Sequence, residues 1–151
     1  MKLSEYLTPD RVVILSGSTK NEALNEMIAL LASADIGVGQ DELAKAVWAR
    51  EEMMSTGTAN SLAVPHVRLA GVRVATAAFG VSPKGIKDYK SLDSEPIHII
   101  ALIAAPAGEH ETYVRLLAQV VEVLAQERLR RKIIDAPKAD EVYRILTGGE
   151  A

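Results

Sequence analysis

Cysteine is absent from this chain of 151 residues. That excludes disulfides, thiolate metal sites and a cysteine nucleophile, and it suits a reducing compartment. Long apolar runs are absent too: no stretch of about 18 apolar residues occurs, and the opening "MKLSEYLTPD" has no apolar signal region. A soluble, cytoplasmic protein that does not insert into a membrane is the expectation. Charge of one sign is also lacking. Seventeen Lys and Arg against 20 Asp and Glu leave a net charge of −3, which offers no electrostatic reason for nucleic-acid binding. Missing motifs narrow the field further. There is no GxGxxG, no P-loop and no GxSxG, so dinucleotide binding, nucleotide hydrolysis and elbow-type acyl transfer lack support. The three histidines are scattered, and no HExxH spacing occurs. Neither a metal site nor a cofactor is expected.

What remains is ordinary globular composition, 48% hydrophobic and 25% charged. No repeat, linker or low-complexity tract interrupts it, so residues 1–151 are expected to form one domain. Val12–Leu15 reads as a short strand. Thr19 with Glu22 forms a capping box before Leu24, Met27, Ile28 and Leu31, a helix to about Ser33. Asp41 opens a second helix with Leu43, Val47 and Met54 as inner positions. Leu62–Val64 is a short strand ending at Pro65, and Val72–Val81 is another, with a turn expected at Ser82–Gly85. Ile97–Ala105 is apolar almost throughout, as a strand covered on both faces would be. Val114, Leu117, Val121 and Leu124 mark a helix over Glu111–Gln126, a basic helix follows around "RLRRKII", and "ADEVYRILTGG" forms a last helix stopped by Gly148. Strands mixed with such helices imply an α/β fold with helices on both sheet faces.

The stretch "STGTANSLAVPHVRL", Ser55 to Leu69, does not read as plain packing. Pro65 fixes its own φ and pushes Val64 to an extended backbone, so a stiff chain delivers His66 at the strand end. His66 is then a nucleophile, a general base, a metal ligand or an idle loop histidine. His98, between Ile97 and Ile99, reads as a sheet-face histidine satisfied by a backbone carbonyl. His110, where a loop meets a helix start, either approaches a site at the sheet edge or is solvated.

The run from Arg50 to His66, "REEMMSTGTANSLAVPH", resembles the signature of phosphotransferase-system (PTS) enzyme IIA domains of the fructose/mannitol/nitrogen-regulatory type (EIIA type 2). "GIKDYKSLDSEPIHIIALIAAP", "YVRLLAQVVEVLAQE" and "LSEYLTPDRVVIL" resemble other blocks of the same family, so the likeness covers nearly the whole chain. The resemblance implies a three-layer sandwich with a mixed sheet of about five strands. It also implies a phosphoryl relay: an HPr-like phosphocarrier donates to His66, which passes the group to a IIB partner or holds it as a signal for a regulatory target. Arg50 would be the nearby cation, with Thr56, Thr58, Asn60 and Arg68 as further phosphoryl-binding residues. The family usually carries a second histidine early in the long helix; here Tyr113 takes that place, with His110 one turn earlier, and both are candidates for the catalytic site. Val67 replaces a small residue after the histidine. The departure at Tyr113 implies weaker onward transfer. A stand-alone chain of this length slightly favours the nitrogen-regulatory type. The alternatives are a sugar-specific fructose or mannitol transport component and a non-catalytic regulator of the same fold.

Overall fold

Apolar runs and capping signals lay out the elements in the order the chain reads. The computed structural model describes residues 2–148. The outermost positions of the expected 1–151 domain, residue 1 and residues 149–151, lie outside the described residues. Two single-turn 3₁₀ segments, Leu3–Glu5 and Pro9–Arg11, precede strand β1 (Val12–Ile14). Helices α1 (Lys20–Ala32) and α2 (Gln40–Met53) follow, then strands β2 (Leu62–Ala63), β3 (His66–Leu69), β4 (Thr76–Ile86) and β5 (Ile97–Pro106). Helices α3 (His110–Leu124), α4 (Glu127–Asp135) and α5 (Ala139–Leu146) complete the described chain. The capping box at the start of α1 is formed in both directions between Thr19 and Glu22. Helix α2 begins at Gln40, capped by Gly39, one residue before the expected Asp41. Asp41 and Glu42 still sit in its first turn, where their charges oppose the positive end of the helix dipole.

The sheet has five strands and mixed polarity. β1 pairs parallel with β4, β4 antiparallel with β5, and both β2 and β3 run parallel along the far edge of β5. One face packs on α1 and α2 through Leu24, Met27, Ile28, Leu43 and Val47. The other face packs on α3, α4 and α5 through Leu116, Val120, Leu124, Ile133 and Val142. The result is the expected three-layer α/β sandwich. Strand β5 is buried on both sides, as its unbroken apolar run implies, and His98 alone among Ile97–Ala105 is partly open. Each fully buried Ile or Leu there stabilises by roughly 1.5–3 kcal/mol.

Three expectations about local structure are corrected. β4 starts at Thr76, not Val72, and does not stop at Val81: Ser82-Pro83-Lys84-Gly85 is an irregularity inside the strand, which resumes pairing at Ile86 with Ile97. Gly85 has a φ of +87° and lies against the His98 ring, so the kink needs a residue without a Cβ. Met54 is not an inner position. It follows the last residue of α2 in an extended conformation and is 72% exposed. In α3 the buried stripe is Leu116, Val120 and Leu124, so the expected stripe was out of phase, sharing only Leu124. Paired apolar residues (Leu116-Leu117, Val120-Val121) define two adjacent stripes with the same period, and periodicity cannot choose between them. The second stripe, Val114 to Val121, borders solvent near His66.

Candidate functional site

His66 begins strand β3 instead of ending β2, and the two strands are one edge strand interrupted by Val64-Pro65. Leu62 pairs with Ile99 and His66 with Ile103, and between them the Pro65 carbonyl accepts from Ile103 N at 3.0 Å. A residue without an N–H is tolerated here because this is the edge of the sheet. The outward backbone groups of β2 are taken by the preceding loop. Thr58 N donates to Leu62 O at 2.7 Å, Val64 N donates to Thr56 O at 3.1 Å, and Gly57 bridges to Ala63. The Val64 carbonyl accepts from His66 Nδ1 at 2.6 Å. A carbonyl can only accept, so Nδ1 carries the ring proton and Nε2 keeps its lone pair.

The ring is half-buried. Burial holds its pKa below the ordinary 6.5, and the Arg50 charge acts in the same direction, outweighing the Val64 bond and Glu51. His66 is therefore a neutral imidazole at pH 7 with a defined tautomer. It lines a cleft of about 420 Å³ together with Arg50, Arg68, Tyr113 and the small side chains of Ala46 and Ala107. Arg50, in the last turn of α2, is half-buried and donates through Nη1 to Met54 O at 2.9 Å. Arg68 lies two residues beyond His66 on the same strand, so both side chains leave the same face of β3. Its guanidinium lies 5.2 Å from the Tyr113 ring centroid and donates to His110 Nδ1 at 3.1 Å. Tyr113 tilts against His66 with ring centroids 5.5 Å apart. Burial raises the Tyr113 pKa despite the opposing pull of Arg68 and Arg50, so it remains a phenol. Among the described residues, neither Arg50 nor Arg68 is paired with a carboxylate. Two unneutralised guanidiniums beside a neutral imidazole make a site for a dianionic group.

The polar loop is organised differently from the expectation. Thr56 is buried, and its hydroxyl donates to Glu51 Oε2 at 2.6 Å while accepting from Tyr89 at 2.7 Å. Thr58 Oγ1 donates to Leu62 O at 2.8 Å. In this structure both hydroxyl protons are engaged within the protein. Asn60, with φ +65°, gives its backbone N–H to Asp93 and lines a separate polar cleft that includes His98 but not His66. These three residues build the loop; none lines the two-arginine cleft, while Thr56 and Thr58 line the adjoining groove together with His66 and Arg50. Ser55 donates to Lys90 O at 2.7 Å, and a Cβ on Gly57 would come within 1.9 Å of that same carbonyl oxygen. His98 Nδ1 donates to Ser82 O at 2.7 Å, the satisfied sheet-face histidine its neighbours implied.

Beside the two-arginine cleft, an apolar groove of about 510 Å³ runs past His66 and Arg50 between the loop and α3. Met54, Leu92, Leu117 and Val121 line it, with Leu92 82% and Val121 48% exposed. A patch of exposed apolar residues directly bordering a charged site is the form of a protein-docking surface.

The sequence model of the family described as "Phosphoenolpyruvate-dependent sugar phosphotransferase system, EIIA 2" matches residues 5–148. The chain belongs to that family. It is 31% identical over 147 residues to the PTS system fructose-specific EIIABC component of Bacillus subtilis, covering 97% of this chain but only 23% of that much longer protein. It is 27% identical to the Nitrogen regulatory protein of Pseudomonas aeruginosa, covering 97% of this chain and 95% of that one. The crystal structure of Nitrogen Regulatory Protein IIA-Ntr from Neisseria meningitidis superposes with a TM-score of 0.88 at 25% identity, over 96% of this chain and 99% of that one. IIA mannitol from Escherichia coli shares the fold, with a TM-score of 0.76 at 22% identity over 92% and 97% of the two chains. EIIA membership implies phosphotransfer and supports a phosphocarrier role. Among the described residues no helix is long and apolar enough to cross a membrane.

One part of this EIIA site escaped the sequence reading. Glu51, 5% exposed, accepts from Thr56 N at 2.9 Å, from the Thr56 hydroxyl, and from Lys20 Nζ at 2.9 Å. Lys20 also lies 4.6 Å from the centre of the Tyr89 ring. Burial works to raise the Glu51 pKa, but the Lys20 and Thr56 bonds outweigh it and hold the carboxyl below its ordinary range. Burial pushes the Tyr89 hydroxyl up. A signal existed: Leu43, Val47 and Glu51 share one helical stripe, and a carboxylate in phase with two core residues needs a buried partner.

Proposed function

We propose that this chain is a phosphocarrier of the PTS relay in which His66 Nε2 accepts a phosphoryl group from an HPr-like protein. One observation carries the reading: the Nδ1 proton is committed to the Val64 carbonyl, leaving Nε2 as the free lone pair beside two unpaired arginines. In an in-line exchange, that lone pair forms the new P–N bond while the carrier's P–N bond breaks and its electron pair returns to the carrier's ring. The Nδ1 proton stays in place, and the Val64 carbonyl stabilises the positive charge the His66 ring acquires. Arg50 and Arg68 neutralise the equatorial oxygens, where phosphoryl transfer concentrates its charge. Donor and acceptor proteins dock on the apolar groove. In Escherichia coli, enzyme IIAMTL has been seen in complex with phosphorylated enzyme IIBMTL, and a IIB protein or a regulatory target takes that place here. We infer one EIIA domain acting in the cytoplasm.

The nitrogen-regulatory type is favoured over sugar transport. IIA-Ntr superposes with a TM-score of 0.88 at 25% identity, and nitrogen regulatory proteins recur among the relatives. In that role phosphorylation adds nearly two negative charges beside the groove, and a partner reads the change. Incubation with a phosphorylated HPr-like carrier labels the wild type, and His66→Ala abolishes the label; label surviving in His66→Ala overturns the assignment. A pull-down comparing His66→Ala with His66→Glu tests the signal, and identical partners for both argue against it.

A further inference from the structure

Arg68 is an exposed arginine on an edge strand, and such a side chain ordinarily samples many rotamers. Here it is held on two sides. His110, the first residue of α3, accepts its Nη1 proton at 3.1 Å, and the Tyr113 ring lies beneath its guanidinium at 5.2 Å. Tyr113 in turn packs against the His66 ring at 5.5 Å. On the same helical turn Glu111 is paired with Arg115 at 2.8 Å, and among the described residues neither Glu109 nor Glu111 forms an ion pair with Arg68. Four side chains thus form a continuous series, His66, Tyr113, Arg68 and His110, at one end of the cleft. His110 is not itself among the residues that line it.

We propose that His110 and Tyr113 are positioning residues for phosphoryl acceptance: they hold the Arg68 guanidinium over the group arriving at His66. This rests on the phosphocarrier reading above. The assignment splits the two residues by chemistry. His110 serves as a hydrogen-bond acceptor for a guanidinium, which has donors only, and not as a proton donor to phosphate. Tyr113 serves through the face of its ring, as a cation–π platform, and not through its hydroxyl. Preordering a bidentate cation removes an entropic cost from the approach to the transition state, so the effect belongs in the rate of transfer.

Phosphoramidate, a small donor that needs no docking surface, isolates this local effect. The rate of His66 phosphorylation is followed by phosphate-affinity gel electrophoresis, with the melting temperature of each variant measured alongside. Loss of a guanidinium acceptor bond is expected to slow H110A about three- to tenfold. H110N places a carbonyl oxygen where Nδ1 stood and restores the rate to within about twofold. Y113F keeps the wild-type rate, whereas Y113L slows like H110A. In an R68A background, which is itself slower, H110A has no further effect, because a residue acting only through Arg68 is silent once Arg68 is gone. H110A at the wild-type rate, or H110A slowing R68A by the same factor as the wild type, overturns the inference. Y113F as slow as Y113L overturns the assignment of the ring face. Absence of phosphorylation at His66 in the wild type fails the phosphocarrier reading itself and takes this inference with it.

Discussion

Glu51→Gln tests the buried network behind the site. The carboxylate accepts three close bonds across both oxygens, two from Thr56 at 2.9 and 2.6 Å and one from Lys20 at 2.9 Å, with the Tyr89 hydroxyl a longer contact at 3.5 Å. Glutamine retains one acceptor oxygen and turns the other position into a donor. If the amide NH₂ faces the Thr56 hydroxyl, that hydroxyl must rotate its proton onto Tyr89, and the Tyr89 proton then loses its acceptor. One buried donor is orphaned, and Lys20, whose side chain is 21% exposed, loses its counter-charge. Together these cost about 2–4 kcal/mol. For a chain of this size that lowers the melting temperature by roughly 5–15 °C at pH 7, read by circular dichroism. The pH dependence has a definite sign. The folded-state pKa of Glu51 lies below its ordinary value of 4.5, so its contribution is fully present above that pH and is lost as pH falls through the folded value. The gap between wild type and Glu51→Gln should therefore be full at neutral pH and close on acidification below about pH 4.5. Equal melting temperatures at pH 7, or a gap that widens in acid, refutes the reasoning.

Thr56→Val removes a hydroxyl that Glu51 and Tyr89 both use, and should cost about 1–3 kcal/mol in urea denaturation while His66 still becomes phosphorylated. Loss of phosphorylation without loss of stability would return Thr56 to the phosphoryl-binding set. Gly57→Ala drives a Cβ into the Lys90 carbonyl and should destabilise by more than about 2 kcal/mol or prevent folding; a midpoint equal to the wild type would mean the loop yields freely. Leu92→Asp places a charge in the apolar groove and should slow phosphorylation by a carrier protein about tenfold or more. The same variant should leave phosphoramidate labelling and melting temperature unchanged; slowing with both donors would show that the groove is not a docking surface.

Local and short-range signals were legible in the amino-acid order. Thr19 and Glu22 announced α1, the apolar run Ile97–Ala105 announced a doubly covered strand, and Pro65 marked the rigid approach to His66. An α/β fold with helices on both sheet faces followed from the full set of segments, and the mixed sheet of about five strands came with the family resemblance. Positions that depend on distant partners were not legible. Nothing near Thr56 in sequence shows that its hydroxyl meets Tyr89, and nothing near Glu51 points to Lys20. A loop rich in Ser and Thr does not itself show that carbonyls and a carboxylate engage its hydroxyls. Ser82–Gly85 carries turn residues, yet pairing resumes beyond it, so a turn signal and a bulge signal coincide. In α3 the choice between two apolar stripes was made by the sheet beneath, leaving Val121 and the partly buried Leu117 to line the groove.

The central claim is that His66 presents Nε2, with Nδ1 held by Val64, to a phosphoryl donor. Long-range ¹⁵N–¹H NMR of the phosphorylated protein, with ³¹P detection, tests it most directly. The account predicts a single phosphohistidine at His66, bonded through Nε2, with the proton retained on Nδ1. A phosphoryl group on Nδ1 of His66, or on His98 or His110, would contradict it.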